Sequence, residues 1–407
     1  MHFNPSTIRH TVLQRLFTAN LLRGIAVLAI GLWLSACDRS EDVLTPPAET
    51  PGEAKLTQKI DSLLTASMQK GTAPGMNAVV IKGGKVIFQK NYGYADVAAK
   101  IPVTNHTRFA IGSTTKAMTA YGVLRLVDQG LVKLDEQVTT YLPDFVMNDA
   151  RYKEITVAQL LSHSSGLKSW TELTPPSNAP GAIENIIKTL TSEDLEFTPG
   201  QGFYYSNYGT TLAGLIIQRV AKIPYEAYMQ QNLFTKIGMS SSTMEYWRPN
   251  ALEGTKGYVL DTVQQRLIEM APYFDRSYNP AGSGTITTSN DVARYLTTVA
   301  NNYTTPLGEK LLSDAMVARM FTGSVNRDQD EYVQFLGATG GSHAFGWYNI
   351  NRNGYVTIEH GGNIRSMLSA FLVDPKTKSA VGILVNQEDF AKFTLPGEIA
   401  RLVFAEQ

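Results

Sequence analysis

Ser113 and Lys116 stand three residues apart in Phe109 to Ala120, FAIGSTTKAMTA, at the mouth of an apolar run with helical spacing. Positions i and i+3 of a helix share a face, so the hydroxyl and the amine point into one space. A serine becomes a nucleophile beside a base, and a lysine taken out of water can lose its proton and act as one. Gly112 lets the backbone turn tightly just before the serine, where the first helical N–H groups have no partner within the helix. The tetrad alone equally describes a surface lysine one turn after an N-terminal serine. Its weight comes from two later stretches.

Pro199 to Gly209, PGQGFYYSNYG, sets Tyr205 and Asn207 on either side of Ser206 in a glycine-bounded turn. Side chains at i and i+2 of an extended segment share a side, so phenol and amide can face one pocket. A phenol of depressed pKa there would shuttle protons, and Asn207 would donate to a substrate amide. Standing alone, the turn reads as packed aromatics with Asn207 as a helix cap. The third stretch is His360-Gly361-Gly362, expected just past a strand over 355–359. Its glycines permit close approach of an acyl group, and His360 adds a donor or a charge at the rim. Backbone N–H groups of Ser113 and Asn363 are the expected oxyanion donors. A further histidine, His163 in LLSHSSGL, has no acidic orienter near it in sequence and reads as structural.

The elements that must position these groups fall into three blocks. Asn77 to Ile81 and Val86 to Lys90 read as strands joined at Gly83-Gly84. A long helical stretch follows: Thr115 to Asp128, a short helix capped by Thr156, one from Tyr208 through Ile217, and one opened by Pro224 through Asn232. Ser241 to Ala271 lacks a clean period and is expected to roof the pocket, and Gly282-Ser283-Gly284 marks a turn close to backbone or ligand. Thr288 and Asp291 suggest a capping box. Strands return at Ala344 to Ile350, Tyr355 to Glu359, Met367 to Val373 and Val381 to Asn386, with turns at Asn353-Gly354 and Asp374-Pro375 and a closing helix over Gly397 to Phe404. The expected class is α/β of the α+β kind. A mainly antiparallel sheet is built from both chain ends and flanked by helices, with a helical region over about 120–325 inserted and the site in the crevice between them.

Composition narrows the chemistry. The 407 residues carry 36 basic and 36 acidic side chains, which gives no reason to expect a nucleic-acid partner. Cys37 is the single cysteine, so neither a disulfide nor a thiolate metal cluster is available, and no metal or cofactor is expected. Arg9, Arg15 and Arg23 precede the apolar run Gly24 to Ser35, the layout of a secretory signal. Without those three, the balance becomes 36 − 3 = 33 basic against 36 acidic. Residues 1–36 are thus expected to be a signal, 37–55 a polar, proline-bearing tether, and 56–407 the folded domain, starting near Leu56 in an amphipathic helix.

Two resemblances follow from these stretches. Leu34-Ser35-Ala36-Cys37 resembles the bacterial lipobox, which implies a lipidated Cys37 in a bilayer and a domain on the periplasmic side of a bacterial cell envelope. Asp38 resembles a signal for retention at the inner membrane. Ser113-Thr114-Thr115-Lys116, Tyr205-Ser206-Asn207 and His360-Gly361-Gly362, in that order, resemble the serine beta-lactamase and penicillin-binding-protein superfamily, class C-like branch, with its D-aminopeptidases, D-Ala-D-Ala carboxypeptidases and esterases. LLSHSSGL, Pro199-Gly200, the turn before Thr287 and GILVN at Gly382 to Asn386 resemble it too, from about Leu56 to the end. The resemblance implies that Ser113 attacks a carbonyl while Lys116 and Tyr205 move its proton. By the same resemblance Asn207 holds the substrate amide, and water cleaves the acyl-enzyme. His360 departs from it, since lactamases and carboxypeptidases usually carry a lysine there to hold a carboxylate. A small acyl ester, an amide or a D-amino-acid peptide is the expected substrate. A beta-lactamase, a D-Ala-D-Ala carboxypeptidase and a non-catalytic binding protein of the same fold are the alternatives.

Overall fold

The computed structural model describes residues 50–70, 73–169, 182–245, 251–264, 266–270, 280–328, 333–334, 336, 338–352, 354–364, 366–388 and 394–404. The signal stretch, Cys37, Asp38 and the tether up to 49 lie outside these residues, as does Asn353 of the expected 353–354 turn.

A nine-stranded antiparallel sheet takes its strands from both ends of the chain. They are β1 (Gly75–Lys82), β2 (Lys85–Asp96), β3 (Ile101–Pro102), β4 (Val325–Asn326), β5 (Gly340–His343), β6 (Tyr348–Arg352), β7 (Tyr355–Ile364), β8 (Met367–Asp374) and β9 (Ser379–Val385), in spatial order β3-β2-β1-β9-β8-β7-β6-β5-β4. The first and last long strands meet at the centre, with Val79 opposite Gly382 and Val80 opposite Val381. Gly83 and Gly84 turn the first hairpin with φ of 58° and 77°, which side chains bearing a Cβ rarely adopt.

Both faces of the sheet are covered, which is why its central strands read as unbroken apolar runs. Met76, Ala78 and Val80 point to a core closed by helices α1 (Pro51–Lys70) and α6 (Leu395–Phe404). Val79 and Ile81, one residue out of phase, point to a larger core shared with α2 (Thr115–Asp128), α3 (Asn207–Ala221), α4 (Ser289–Ala300) and α5 (Asp314–Phe321). Between β3 and β4 the chain is mostly helical, with two small pairs, 109–110 with 286–287 and 258–261 with 266–269.

Four details depart from the sequence reading. Helix α1 begins at Pro51, inside the expected tether, because Thr50 and Glu53 cap it reciprocally: Thr50 N–H donates to Glu53 Oε2 at 2.9 Å, and Glu53 N–H to Thr50 Oγ1 at 3.2 Å. The strand expected over 344–350 is instead a turn followed by β6, closed by Ala344 N–H donating to Trp347 O at 2.8 Å around Gly346, whose φ is 69°. Thr288 does cap α4, yet Asp291 does not reciprocate. Its Oδ2 takes Ser241 N–H and Ser242 Oγ–H instead. Finally, β7 does not stop at Glu359. It runs to Ile364, so His360, Gly361, Gly362 and Asn363 lie within a strand, opposite Phe371, Ala370, Ser369 and Leu368.

Candidate active site

The chain enters α2 through one tight turn, Gly112–Thr114, with Ser113 half-buried at its centre. Gly112 has φ of 53°, and a Cβ there would meet Asn363 O at 2.8 Å. A Cβ on Gly362 would run into the Ile111 carbonyl oxygen. The glycines of the first and third stretches therefore let the serine turn lie directly on strand β7. Two hydroxyls fasten the join, Ser369 Oγ donating to Ile111 O at 2.6 Å and Thr114 Oγ1 to the same oxygen at 2.8 Å. Sequence reasoning missed Ser369, which carries no pattern of its own.

Lys116 is 1% exposed. Its Nζ lies 2.7 Å from Asn207 Oδ1, 2.9 Å from Gly282 O and 3.1 Å from Ser113 Oγ. The amide and carbonyl oxygens can only accept, so each takes an N–H. A neutral amine then has one direction left, its lone pair, and that direction faces the serine hydroxyl. Burial pulls this lysine down to about 7, so the neutral form is present near neutral pH. The 282–284 stretch reads in the sequence as a turn, whereas Pro280–Ser283 is a short helix, and nothing in the sequence marks Lys116 as the partner of Gly282.

Asn207 is placed by the start of α3. Ser206, not Asn207, is the cap, its Oγ accepting Gly209 N–H at 2.9 Å. Asn207 is left free to orient Lys116 through Oδ1, while its Nδ2 donates to Ser169 Oγ at 3.2 Å. Tyr205 stands beside Ser113, and its ring centroid is 4.8 Å from Lys116 Nζ. The expected depression of its pKa is not what the site produces. Burial pushes the phenol well above the usual tyrosine range, and the Ser113 contact only partly opposes this. Tyr205 is therefore a neutral O–H, able to pass a proton without holding a charge.

Residues 60–405 match the family described as Beta-lactamase. The chain belongs to the beta-lactamase family. Membership of this family supports a hydrolase at family level. It is similar to Protein flp of Staphylococcus aureus strain MW2, 27% identical over 332 residues, which are 81% of this chain and 63% of that protein's length. A penicillin-binding protein homologue from Pyrococcus abyssi, octameric in its own structure, has the same fold with a TM-score of 0.73 and 24% identity, over 86% of this chain and 78% of that one. EstCE1, a hydrolase with promiscuous acyltransferase activity, gives a TM-score of 0.71 and 20% identity, over 87% and 100%.

The third stretch of this family member differs from the sequence expectation in its exposure. His360 is 3% exposed, with its ring centroid 6.2 Å from that of Tyr205 and 5.6 Å from that of Tyr348. It is set into the wall of the site rather than displayed at a rim. Its Nδ1 lies 2.6 Å from Gly361 O, so Nδ1 carries the hydrogen and Nε2 is a bare acceptor. Burial first, and the Lys116 amine second, hold the imidazole down to about 3, so no charge is offered to a ligand near neutral pH. Gly362 leaves the strand backbone open toward the serine turn, and the Asn363 backbone abuts Gly112. The Asn363 side chain turns outward, its Nδ2 donating to Glu388 Oε1 at 2.8 Å. Behind His360 lie two more buried imidazoles, His343 and His163, with ring centroids 4.7 Å apart. No cluster of three metal-ligating side chains occurs among the described residues.

Proposed function

We propose that the protein is a lipid-anchored serine hydrolase that cleaves small neutral acyl esters or amides through an acyl-enzyme on Ser113. The observation that carries this is the unassigned direction of a buried, neutral Lys116, aimed at Ser113 Oγ. As Oγ bonds to the substrate carbonyl carbon, its proton passes to Nζ, and the carbonyl oxygen takes the negative charge. The Asn363 backbone lies against Gly112, which supports the backbone N–H groups of Ser113 and Asn363 as donors to that oxygen. The carbon–leaving-group bond then breaks, and Tyr205 delivers the proton from Nζ to the departing oxygen or nitrogen. Water repeats the sequence on the acyl-enzyme and restores Ser113. A neutral His360, in place of a fixed ammonium, supports neutral substrates over those ending in a carboxylate.

The test is labelling with a fluorophosphonate, expected on the wild type and absent from Ser113→Ala, followed by turnover of short acyl esters, D-amino-acid amides, D-Ala-D-Ala peptides and cephalosporins. Absence of both label and turnover overturns the reading. The lipid anchor rests on Leu34-Ser35-Ala36-Cys37. A palmitate analogue should label the wild type and not Cys37→Ala, and an unlabelled wild type removes the anchor alone.

A further inference from the structure

His163 has no part in the mechanism above, yet it is 1% exposed and lies against the residue that moves the proton. Its backbone adopts φ of 58°, a conformation of the left-handed region that costs a side-chain-bearing residue free energy and persists where surrounding structure demands it. The contacts indicate what demands it. His163 O accepts Tyr204 N–H at 3.0 Å, and His163 Nδ1 accepts Ser206 N–H at 3.1 Å. One residue thus holds the main chain on both sides of Tyr205. Its ring centroid is also 4.5 Å from that of Tyr205, tilted by 39°. Neighbouring bonds extend the clamp: Ser164 O accepts Gly200 N–H and Gly166 O accepts Glu196 N–H, both at 2.8 Å.

We propose that His163 is a positioning residue, which fixes the Tyr205 hydroxyl on Ser113 by gripping the amides of Tyr204 and Ser206 and bracing the phenol ring. The grip requires a neutral ring, since a hydrogen on Nδ1 would confront the Ser206 N–H with a second donor. The groups facing the ring are His343, Lys116, His360 and Arg327. Burial first, and then these basic neighbours, with no carboxylate among them, keep the ring unprotonated. His163 therefore acts as a fixed acceptor and not as a second base.

This inference rests on the hydrolase reading, and the experiment separates the two. Glycine and asparagine both adopt a φ of 58° readily, so His163→Gly and His163→Asn keep the turn. Asparagine places an oxygen where Nδ1 stood; glycine places nothing there. Both are compared with the wild type on two esters of one acyl group, a p-nitrophenyl ester whose leaving group departs without a proton and an alkyl ester that needs one. His163→Gly should lose about 100-fold on the alkyl ester and less than about tenfold on the p-nitrophenyl ester, the size of a misplaced general acid. His163→Asn should recover most of the gap. Equal losses on both esters, or an asparagine variant no better than glycine, overturn the proposal, because a merely structural histidine would not distinguish leaving groups. Hydrogen exchange of the 203–207 segment gives a readout independent of turnover. It should quicken in the glycine variant and be restored by asparagine, and unchanged exchange refutes the grip even if the wild type proves to have no activity.

Discussion

Glu359 and His360 are neighbours on β7, and their side chains leave opposite faces of the sheet into two different kinds of buried polar environment. On the side of α1 and α6, Glu359 is 2% exposed and receives Arg352 Nη2 at 2.9 and 3.0 Å on its two oxygens, with Thr357 Oγ1 donating at 2.6 Å. That charge has a counter-charge and a full set of donors. On the other side, among the described residues, Lys116 has oxygen partners and no carboxylate in contact, and His360 keeps an unpartnered Nε2. Burial has the same desolvation cost on both faces. Burial raises the Glu359 carboxyl too, but the Arg352 guanidinium and Thr357 oppose the shift, and the paired group holds structure. Where a partner ion is withheld, the group gives up its charge and becomes reactive.

Removing one group from each face should break this contrast most sharply. Lys116→Met is expected to lower kcat/KM by roughly 10⁴-fold while leaving the protein folded, the scale of losing a base that acts with its nucleophile. A loss below about tenfold would mean that another group deprotonates Ser113. For the wild type, kcat/KM should rise with pH through an apparent pKa of about 7, set by the burial of Lys116.

The same lysine should appear in stability. Its pKa is about 7 in the folded protein against an ordinary 10.5, so the native state binds the proton more weakly than the unfolded chain. Stability is then lowest below pH 7, where the buried amine is charged, and rises across the window from about 7 to 10.5. Urea titrations of wild type and Lys116→Met over that window should diverge by up to about 1.4 kcal/mol per pH unit. Parallel curves would show that the amine is not desolvated.

On the opposite face, Glu359→Gln leaves Arg352 without its counter-charge and should cost about 3–5 kcal/mol of stability. Activity per folded molecule should hold to within about threefold, since the pair lies across the sheet from Ser113. A larger fall would mean that the two faces are coupled through β7.

The smallest effect concerns His360. His360→Lys should move the ratio of carboxylate-terminated to neutral substrate in kcat/KM by about 1–3 kcal/mol, the worth of a charge-assisted hydrogen bond. With the wild-type imidazole held near 3, acidification to pH 5 should not imitate that change. An unchanged ratio would limit His360 to shaping the wall.

The sequence by itself determined which candidate groups are available and most of the elements that carry them. Ser113 and Lys116 at helical spacing, Tyr205 and Asn207 at strand spacing, and glycines at 112, 361 and 362 are local facts, because backbone periodicity and the absence of a Cβ are local properties. The same holds for α2, whose bounds of 115 and 128 agree with its apolar period, and for the glycine hairpin at 83–84. The beta-lactamase family match extends over the same stretches.

Only the tertiary structure decided the protonation states and the clamps. The lowered pKa of Lys116 and the raised pKa of Tyr205 follow from burial by distant segments, and no spacing along the chain encodes that. The Gly282 carbonyl reaches Lys116 from 166 residues away, and Ser369 reaches the serine turn from 258 residues beyond Ile111. His163 read as structural for want of an acidic neighbour, whereas its partners are backbone amides 41 and 43 residues downstream. The continuation of β7 through His360-Gly361-Gly362 was hidden for a related reason. Two adjacent glycines signal a turn locally, and only the serine turn packed against Gly362 explains why the strand needs space there.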